Sequence, residues 1–313
     1  MQIGLLSDPE LVNSNYRVYQ PLMALGRRGH EIVLNRANTA LATDALFRCD
    51  VVHVHRIATA GARALVKRLR AAGVGVVWDN DDDVMALPRW NPHFRRLGSA
   101  GRREMAVGVQ EMVRMADVVT TPSELLAEQF RELGAVDVRV IENHLPQEFQ
   151  HVERTPHEGV VVACLAGLEH QVDYQRLGLN DVFAQLLAAH PDVRLLCIGI
   201  GPGFATDRCE HLPLVEFLQL VPTLARADVG VAPLTDIAWN RARSNIKLKE
   251  YTAAGLAWLA SPVGPYRAMG ERQGGRLVPD DGWLGALDQL VRDAKARRKL
   301  AKRGAKWVKD EGI

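Results

Sequence analysis

Short β-branched runs alternate with amphipathic stretches of helical period along nearly the whole chain, and no other feature restricts its fold as much. Runs at 3–6, 31–34, 51–54 and 74–78 have the length and residue types of strands, and the stretches at 16–27 and 60–72 have the period of helices. The rhythm continues through a helix ending near Met115, a strand at 118–120, another helix and a strand at 138–141. Thr121 is expected to cap that helix, with Pro122 at its first position, Glu124 completing a capping box and Gly134 closing it. Strands joined by helices return in the same direction, so the alternation demands a mainly parallel sheet covered by helices on both faces.

Residues 144–159 interrupt the rhythm with two prolines, several charges and no periodicity, as a connection between domains would. The expected domains are 1–155 and 156–313, an almost even split of a 313-residue chain. After the interruption the alternation resumes with strands at 160–166, 193–198, 229–232 and 257–260, helices at 181–189 and 245–254, and a helical tail from Trp283. Ligands of such sheets bind beyond the carboxyl ends of the strands, so the cleft between two halves of this kind is the expected site.

Composition removes several functional classes. Hydrophobic residues make up 47% of the chain, enough for two cores. Lys and Arg exceed Asp and Glu by 39 − 37 = +2, too little for a chain-wide field that would hold nucleic acid. Cys49, Cys164, Cys197 and Cys209 form no C-x-x-C pair and read as reduced, buried thiols, suggesting neither a zinc site nor a disulfide framework. The start, Met1 to Glu10, lacks the pattern of a signal peptide, and no apolar run approaches the roughly 20 residues of a membrane helix, so a cytoplasmic, soluble protein is expected.

The most informative segment is 227–267. A buried strand there leads to a loop with Asn240, Arg241, Arg243 and Ser244, and Lys247 and Glu250 follow in the first turns of a helix. Backbone N–H groups and the dipole at a helix N-terminus, with Lys and Ser beside them, suit a diphosphate. Glu250, one turn on from Lys247, can accept hydrogen bonds from ribose hydroxyls. A solvated helix start with an i, i+3 salt bridge would show the same spacing.

Asp228, Pro233, Leu234, Asn240, Arg243, Ser244, Ile246, Lys247, Glu250, Tyr251 and the small-residue step Ala253, Ala254, Gly255 follow one another in the order of a known segment. This stretch resembles the donor-binding segment of bacterial and phage group 1 glycosyltransferases, in particular a retaining subgroup that makes O-antigen and similar cell-surface polysaccharides. The resemblance implies an α/β chain of the GT-B fold, two Rossmann-like domains facing across a cleft. It further implies that Lys247 and Ser244 hold the donor diphosphate and Glu250 the ribose. One departure stands out: the family's E-x7-E pair would place its first Glu where this chain has Ala242.

The remainder of the second half resembles the same subgroup in Gly167, Leu168, Glu169, His170 and Asp173, then in Gly199, Gly201 and Pro202. Glycines there let backbone amides approach a phosphate, and His170 either donates a further hydrogen bond or is an ordinary loop histidine. In the first half, Asp50, Val51, Val52, His53 and His55 resemble the family's D-V-V-H-x-H strand. Two residues apart on a strand, the histidines share a face; His53 is expected in the core and His55 toward the cleft. Arg17 is either a surface arginine or part of the acceptor side.

Asp79, Asp81, Asp82 and Asp83 crowd the end of a strand, and four carboxylates so close need water, a cation or basic groups to stay ionised. A magnesium or manganese site, a general base at Asp81 and a set of loop caps all answer to this pattern. The resemblance favours a fold that works without metal, so no cofactor and no metal ligand are expected. Asp81, Lys247 and His55 are then the candidate catalytic residues, and Arg17, Asp79 and Asp82 line the acceptor side. Basic stretches at 67–70, 95–96, 102–103 and 295–306 read as solvated faces or as a transient contact with the inner face of a membrane. The tail at 310–313 is shorter than the helix with which this fold ordinarily finishes.

The resemblance therefore implies a hexosyl- or related glycosyltransferase that moves a sugar from a nucleoside diphosphate sugar to a hydroxyl of a glycolipid, polysaccharide or protein. Two alternatives stay open: a nucleotide-sugar 2-epimerase of the same fold, and a degenerate subunit that binds nucleotide sugar without transferring it.

Overall fold

The computed structural model describes residues 1–7, 14–36 and 43–312, and its packing divides them into two units. The first comprises Met1–Asn143 and Ala242–Ser244, the second His144–Arg241 and the chain from Asn245 onward.

The first unit carries strands β1 (Gln2–Ser7), β2 (Glu31–Arg36), β3 (Val51–His55), β4 (Gly75–Asp79), β5 (Val118–Thr121) and β6 (Val138–Val140). Its helices are α1 (Gln20–Arg27), α2 (Thr43–Leu46), α3 (Ala60–Ala71), α4 (Pro92–Met115) and α5 (Glu124–Glu132). All strand pairs are parallel, in the order β2-β1-β3-β4-β5-β6. The chain leaves β1 for the edge strand β2 and returns to the other side as β3, so β1 and β3 flank the point where the winding reverses. Ser7 and His55 are register partners at the carboxyl ends of those two strands.

The second unit carries β7 (Val160–Ala166), α6 (Gln171–Arg176), α7 (Leu179–Ala189), β8 (Val193–Gly199), β9 (Cys209–Leu212), α8 (Phe217–Leu224) and β10 (Val229–Ala232). There follow α9 (Ala238–Arg241), α10 (Ile246–Ala253), β11 (Ala257–Ala260), β12 (Gly275–Leu277), α11 (Trp283–Arg292) and α12 (Ala294–Trp307). The strands are again all parallel, in the order β12-β11-β10-β7-β8-β9, with the reversal between β7 and β10. Every residue of β10 and β11 is buried, which is why both read as unbroken apolar runs.

Some local expectations change. Ser123, not Thr121, caps α5, its Oγ accepting from the Leu126 N–H at 3.5 Å, because Thr121 is still pairing in β5. The strands β9 and β12 and the helix α8 carry no clear sequence signal: β9 is a polar edge strand and β12 has three residues beginning with glycine. Residues 144–155 pack with the second unit, where Phe149 is buried against Phe217 at 5.4 Å between ring centroids and Arg154 donates to the Ala227 carbonyl at 2.8 Å.

Tyr251 anchors α10 to the sheet. Its hydroxyl donates to the Val231 carbonyl at 2.9 Å and accepts from the Leu165 N–H at 3.0 Å, while its ring covers Gly230. A Cβ at residue 230 would stand 2.5 Å from the ring's Cγ. Gly230→Ala is therefore expected to lower stability by about 1–3 kcal/mol, the usual cost of overpacking a filled core. An unchanged thermal midpoint would show that α10 has room to move.

Candidate functional site

In the second unit the candidate residues gather at the carboxyl ends of β7 and β10, where sheets of this topology place their ligands. The chain leaves β7 through Gly167, makes one 3-10 turn over Leu168–His170 and enters α6. Asp173 on α6 is fully buried. Its Oδ1 accepts from Thr235 N at 3.0 Å, Thr235 Oγ1 at 2.6 Å and Asn240 Nδ2 at 2.9 Å. Its Oδ2 lies 3.0 Å from Nδ1 of His170, and the other ring nitrogen, Nε2, lies 3.4 Å from Nζ of Lys247. Burial alone would raise the carboxyl's pKa; the hydrogen bonds from His170 and Thr235 outweigh it and hold Asp173 below the ordinary carboxylate range.

This geometry settles where several expected residues stand. His170 is buried, not an exposed loop histidine. Asn240 is also buried, and its amide binds the β10–α9 loop through Asp173 and the Thr235 carbonyl. Lys247 and Glu250 lie in α10, whose first turn has Asn245 at its N-cap without a side-chain cap bond. Glu250 is buried, and so is Lys249 at 1% exposure, a burial that its charge conceals in the sequence. Gly199 ends β8 in the left-handed region (φ 95°), where a Cβ would stand 2.1 Å from the Ala166 carbonyl oxygen; no other residue fits. Gly201 follows beside the imidazole of His211.

Arg243 and Ser244 pack with the first unit, where Ser244 Oγ accepts from Asn143 Nδ2 at 3.1 Å. Ala242, the position at which the family pattern calls for a glutamate, is fully buried in the first unit's apolar core, and its carbonyl accepts from Ser123 Oγ at 3.0 Å. A carboxylate in that packing would be buried among apolar side chains.

In the first unit, the aspartates that end β4 are compensated by guanidinium groups. Asp79 is buried and accepts from Arg17 Nε at 3.1 Å and Nη2 at 2.5 Å, and from Thr120 Oγ1 at 2.6 Å. Arg17 also donates to Asn143 Oδ1 at 3.1 Å and to the Ile141 carbonyl, so it is a buried ion-pair partner and not a surface arginine. Arg56 reaches Asp81 at 2.5 Å and also binds Asp82. Among the described residues it is the one non-glycine with positive φ (61°), held by its N–H on the Asp79 carbonyl at 2.8 Å. Such strain is typical of functional sites. Asp83 caps the turn at Val84–Ala86.

Burial would lower the pKa of both arginines and raise that of Asp79 and Asp81. In each case the opposite charge wins: Arg17 and Arg56 are raised, and Asp79 and Asp81 are lowered. His55 is fully buried, with Nδ1 3.5 Å from Ser7 Oγ and Nε2 3.7 Å from an oxygen of both Asp79 and Asp81. Burial brings its neighbour on the same face, His53, down to about 4, so that ring is neutral at pH 7. Sequence reasoning passed over Arg56, Thr120, Asn143 and Thr235, whose partners lie far away along the chain.

Among the described residues no group of three or more His, Cys, Asp or Glu side chains is arranged to hold a metal ion, and no helix is long and apolar enough to cross a membrane.

Two family models match the chain: a glycosyl transferase 4-like domain over residues 9–144 and glycosyl transferases group 1 over residues 159–293. No curated protein matches the chain by sequence. Among solved structures, it is similar to sucrose-phosphate synthase from Thermosynechococcus elongatus (TM-score 0.72, 15% identity, 100% of this chain and 95% of that one). It is similar also to Anabaena HepE in complex with UDP-glucose (TM-score 0.65, 14% identity, 100% and 95%). A third is a putative UDP-N-acetylglucosamine 2-epimerase from Listeria monocytogenes (TM-score 0.59, 12% identity, 99% and 94%). These likenesses establish the α/β fold as GT-B, and a glycosyl transferase 4-like domain over residues 9–144 followed by a glycosyl transferases group 1 domain over residues 159–293 makes the chain a glycosyltransferase of the group 1 type.

Proposed function

We propose that this glycosyltransferase moves a sugar, with retention of anomeric configuration, from a nucleoside diphosphate sugar held by the second unit to a hydroxyl acceptor held by the first. The observation that carries this reading is the convergence of His170, Lys247 and the first turn of α10 at the β7/β10 reversal, a cationic, N–H-rich corner suited to a diphosphate. HepE, a structure of the same fold, was solved with UDP-glucose.

Lys247 and the helix N-terminus stabilise the negative charge that gathers on the leaving diphosphate, and Glu250 receives the ribose hydroxyls. On the first unit, Asp81 and Asp82 with Arg56 form the polar acceptor surface, and Arg17 with Asp79 holds the floor beneath it. The leaving phosphate accepts the acceptor's proton, and the acceptor adds on the face that the leaving group vacates. The donor is the only small molecule required, without a metal. The exposed basic side chains of α12, Lys295, Arg298, Lys299, Lys302 and Lys306, support a transient contact of a cytoplasmic enzyme with an anionic membrane surface, as an enzyme of surface polysaccharide synthesis would make.

The test is a thermal-shift panel of UDP, GDP, dTDP and ADP, with and without magnesium. A ligand at 100 times its dissociation constant adds about 2.7 kcal/mol, so one of the four is expected to raise the midpoint by a few degrees, equally in both conditions. No shift with any of them removes the donor assignment. Proton NMR of the product formed with that donor then reads the anomer: an inverted product would replace phosphate-assisted retention by general-base attack through Asp81, and donor converted without acceptor would make the chain an epimerase.

A further inference from the structure

Asp173 does two separate jobs with its two oxygens. Oδ1 takes the three bonds that fasten the β10–α9 loop, from Thr235 N, Thr235 Oγ1 and Asn240 Nδ2, at 3.0, 2.6 and 2.9 Å. Oδ2 faces His170 Nδ1 at 3.0 Å. An ionised carboxylate accepts and cannot donate, so the proton between them sits on Nδ1. The neutral ring then has its lone pair on Nε2, directed at an ammonium that can only donate, Nζ of Lys247 at 3.4 Å. Glu169 Oε1 lies 3.8 Å from the same Nε2, beyond hydrogen-bond reach.

We infer that Asp173 is a positioning residue that fixes the tautomer of His170, and that His170 in turn aims the Lys247 ammonium at the donor diphosphate. The inference rests on the donor reading above and deepens it. The order Asp173, His170, Lys247 crosses the β7/β10 reversal, so it links α6 and the turn after β7 to α10 through side chains alone. With the wrong tautomer, an N–H at Nε2 would face the ammonium, donor against donor, and the bond from Lys247 to His170 would be lost.

Asp173→Asn separates the two jobs. Its amide oxygen can keep all three loop bonds, while its NH2 replaces Oδ2, donates to Nδ1 and forces the proton onto Nε2. The variant is expected to keep the wild-type thermal midpoint to within a few degrees and to bind the diphosphate identified in the panel about tenfold or more weakly, the usual cost of losing the group that orients a ligating imidazole. His170→Gln offers Lys247 an amide that turns to present its oxygen whatever stands at residue 173. In that background, adding Asp173→Asn is expected to change affinity no further, and the rise in donor KM should leave acceptor KM untouched.

A direct signature comes from nitrogen NMR of histidine-labelled protein, with the His170 ring assigned by its loss in His170→Gln. The wild type is expected to show the Nδ1–H form and Asp173→Asn the Nε2–H form. An imidazolium or an Nε2–H ring in the wild type overturns the inference, as does equal affinity of Asp173→Asn and wild type, or a further loss of affinity in the double variant. Wild-type protein that binds none of the four diphosphates defeats the donor reading itself, and with it the aim assigned to Lys247, whatever tautomer the spectrum shows.

Discussion

Lys247→Ala is expected to abolish the stabilisation by nucleoside diphosphate and to lower kcat/KM about a hundredfold, while the unliganded protein melts as the wild type does. The first half follows from charge. An ammonium bonded to phosphate contributes about 1.5–3 kcal/mol as a charge-assisted hydrogen bond, and a hundredfold loss is about 2.7 kcal/mol of transition-state binding. In the proposed donor site Lys247 supplies that charge beside α10's N-terminus, so in the variant both the ground state and the departing diphosphate should lose it. The second half follows from packing. What holds α10 in place is Leu248, fully buried, and Tyr251, bonded to β7 and β10; Lys247 is only half-buried. Lys247→Arg keeps the charge but not its compact reach and should fall between the two. If Lys247→Ala instead lowers the unliganded midpoint by many degrees and leaves affinity intact, Lys247 is a structural residue, and the donor site must lie elsewhere.

Most of the frame was legible in the sequence because a parallel sheet writes itself plainly. Buried strands such as β10 and β11 are continuous apolar runs, and the helices between them keep a 3.6-residue period. Elements outside that signal were lost for physical reasons. β9 lies at a sheet edge and can expose Glu210 and His211, so neither its composition nor its alternation marks it. At the sites, the kinds of residue were legible and the pairings were not. Asp79 to Asp83 announce a need for compensating charge, but Arg17 lies 62 residues from its partner Asp79, and only the pairing of β1, β3 and β4 brings them together. His170 and Asp173 show their i, i+3 spacing at once. That Thr235 and Asn240 complete the same cluster, 62 and 67 residues on, depends on β7 lying beside β10. Ala242 stands where the family pattern has a glutamate, and that it lies in the first unit's core is visible only in the fold.

The Arg17–Asp79 pair carries the largest expected effect on stability. Both side chains are almost without solvent contact, at 3% and 1% exposure. Such a pair has already given up its hydration, and removing one partner leaves the other charged, buried and without its counter-ion. Asp79→Ala is therefore expected to cost about 3–5 kcal/mol and several degrees in the thermal midpoint. Arg17→Met with Asp79→Leu, which removes both charges and fills the space, should lose less than Asp79→Ala alone. The pair also predicts an acid response. Asp79 is held below its unfolded value of about 3.9 because Arg17 outweighs the effect of burial. A carboxylate with a depressed folded pKa stabilises the protein above the unfolded pKa and loses that contribution as pH falls through the folded one. Wild-type stability should thus decline on acidification below about pH 4. Asp79→Ala should decline less steeply over the same range, though not flatly, because Asp81 and Asp173 are depressed as well. Denaturant midpoints followed from pH 7 downward check both statements, and parallel acid slopes for the variant and the wild type would mean that Asp79 has the same pKa folded and unfolded, so that Arg17 does no more than offset its burial.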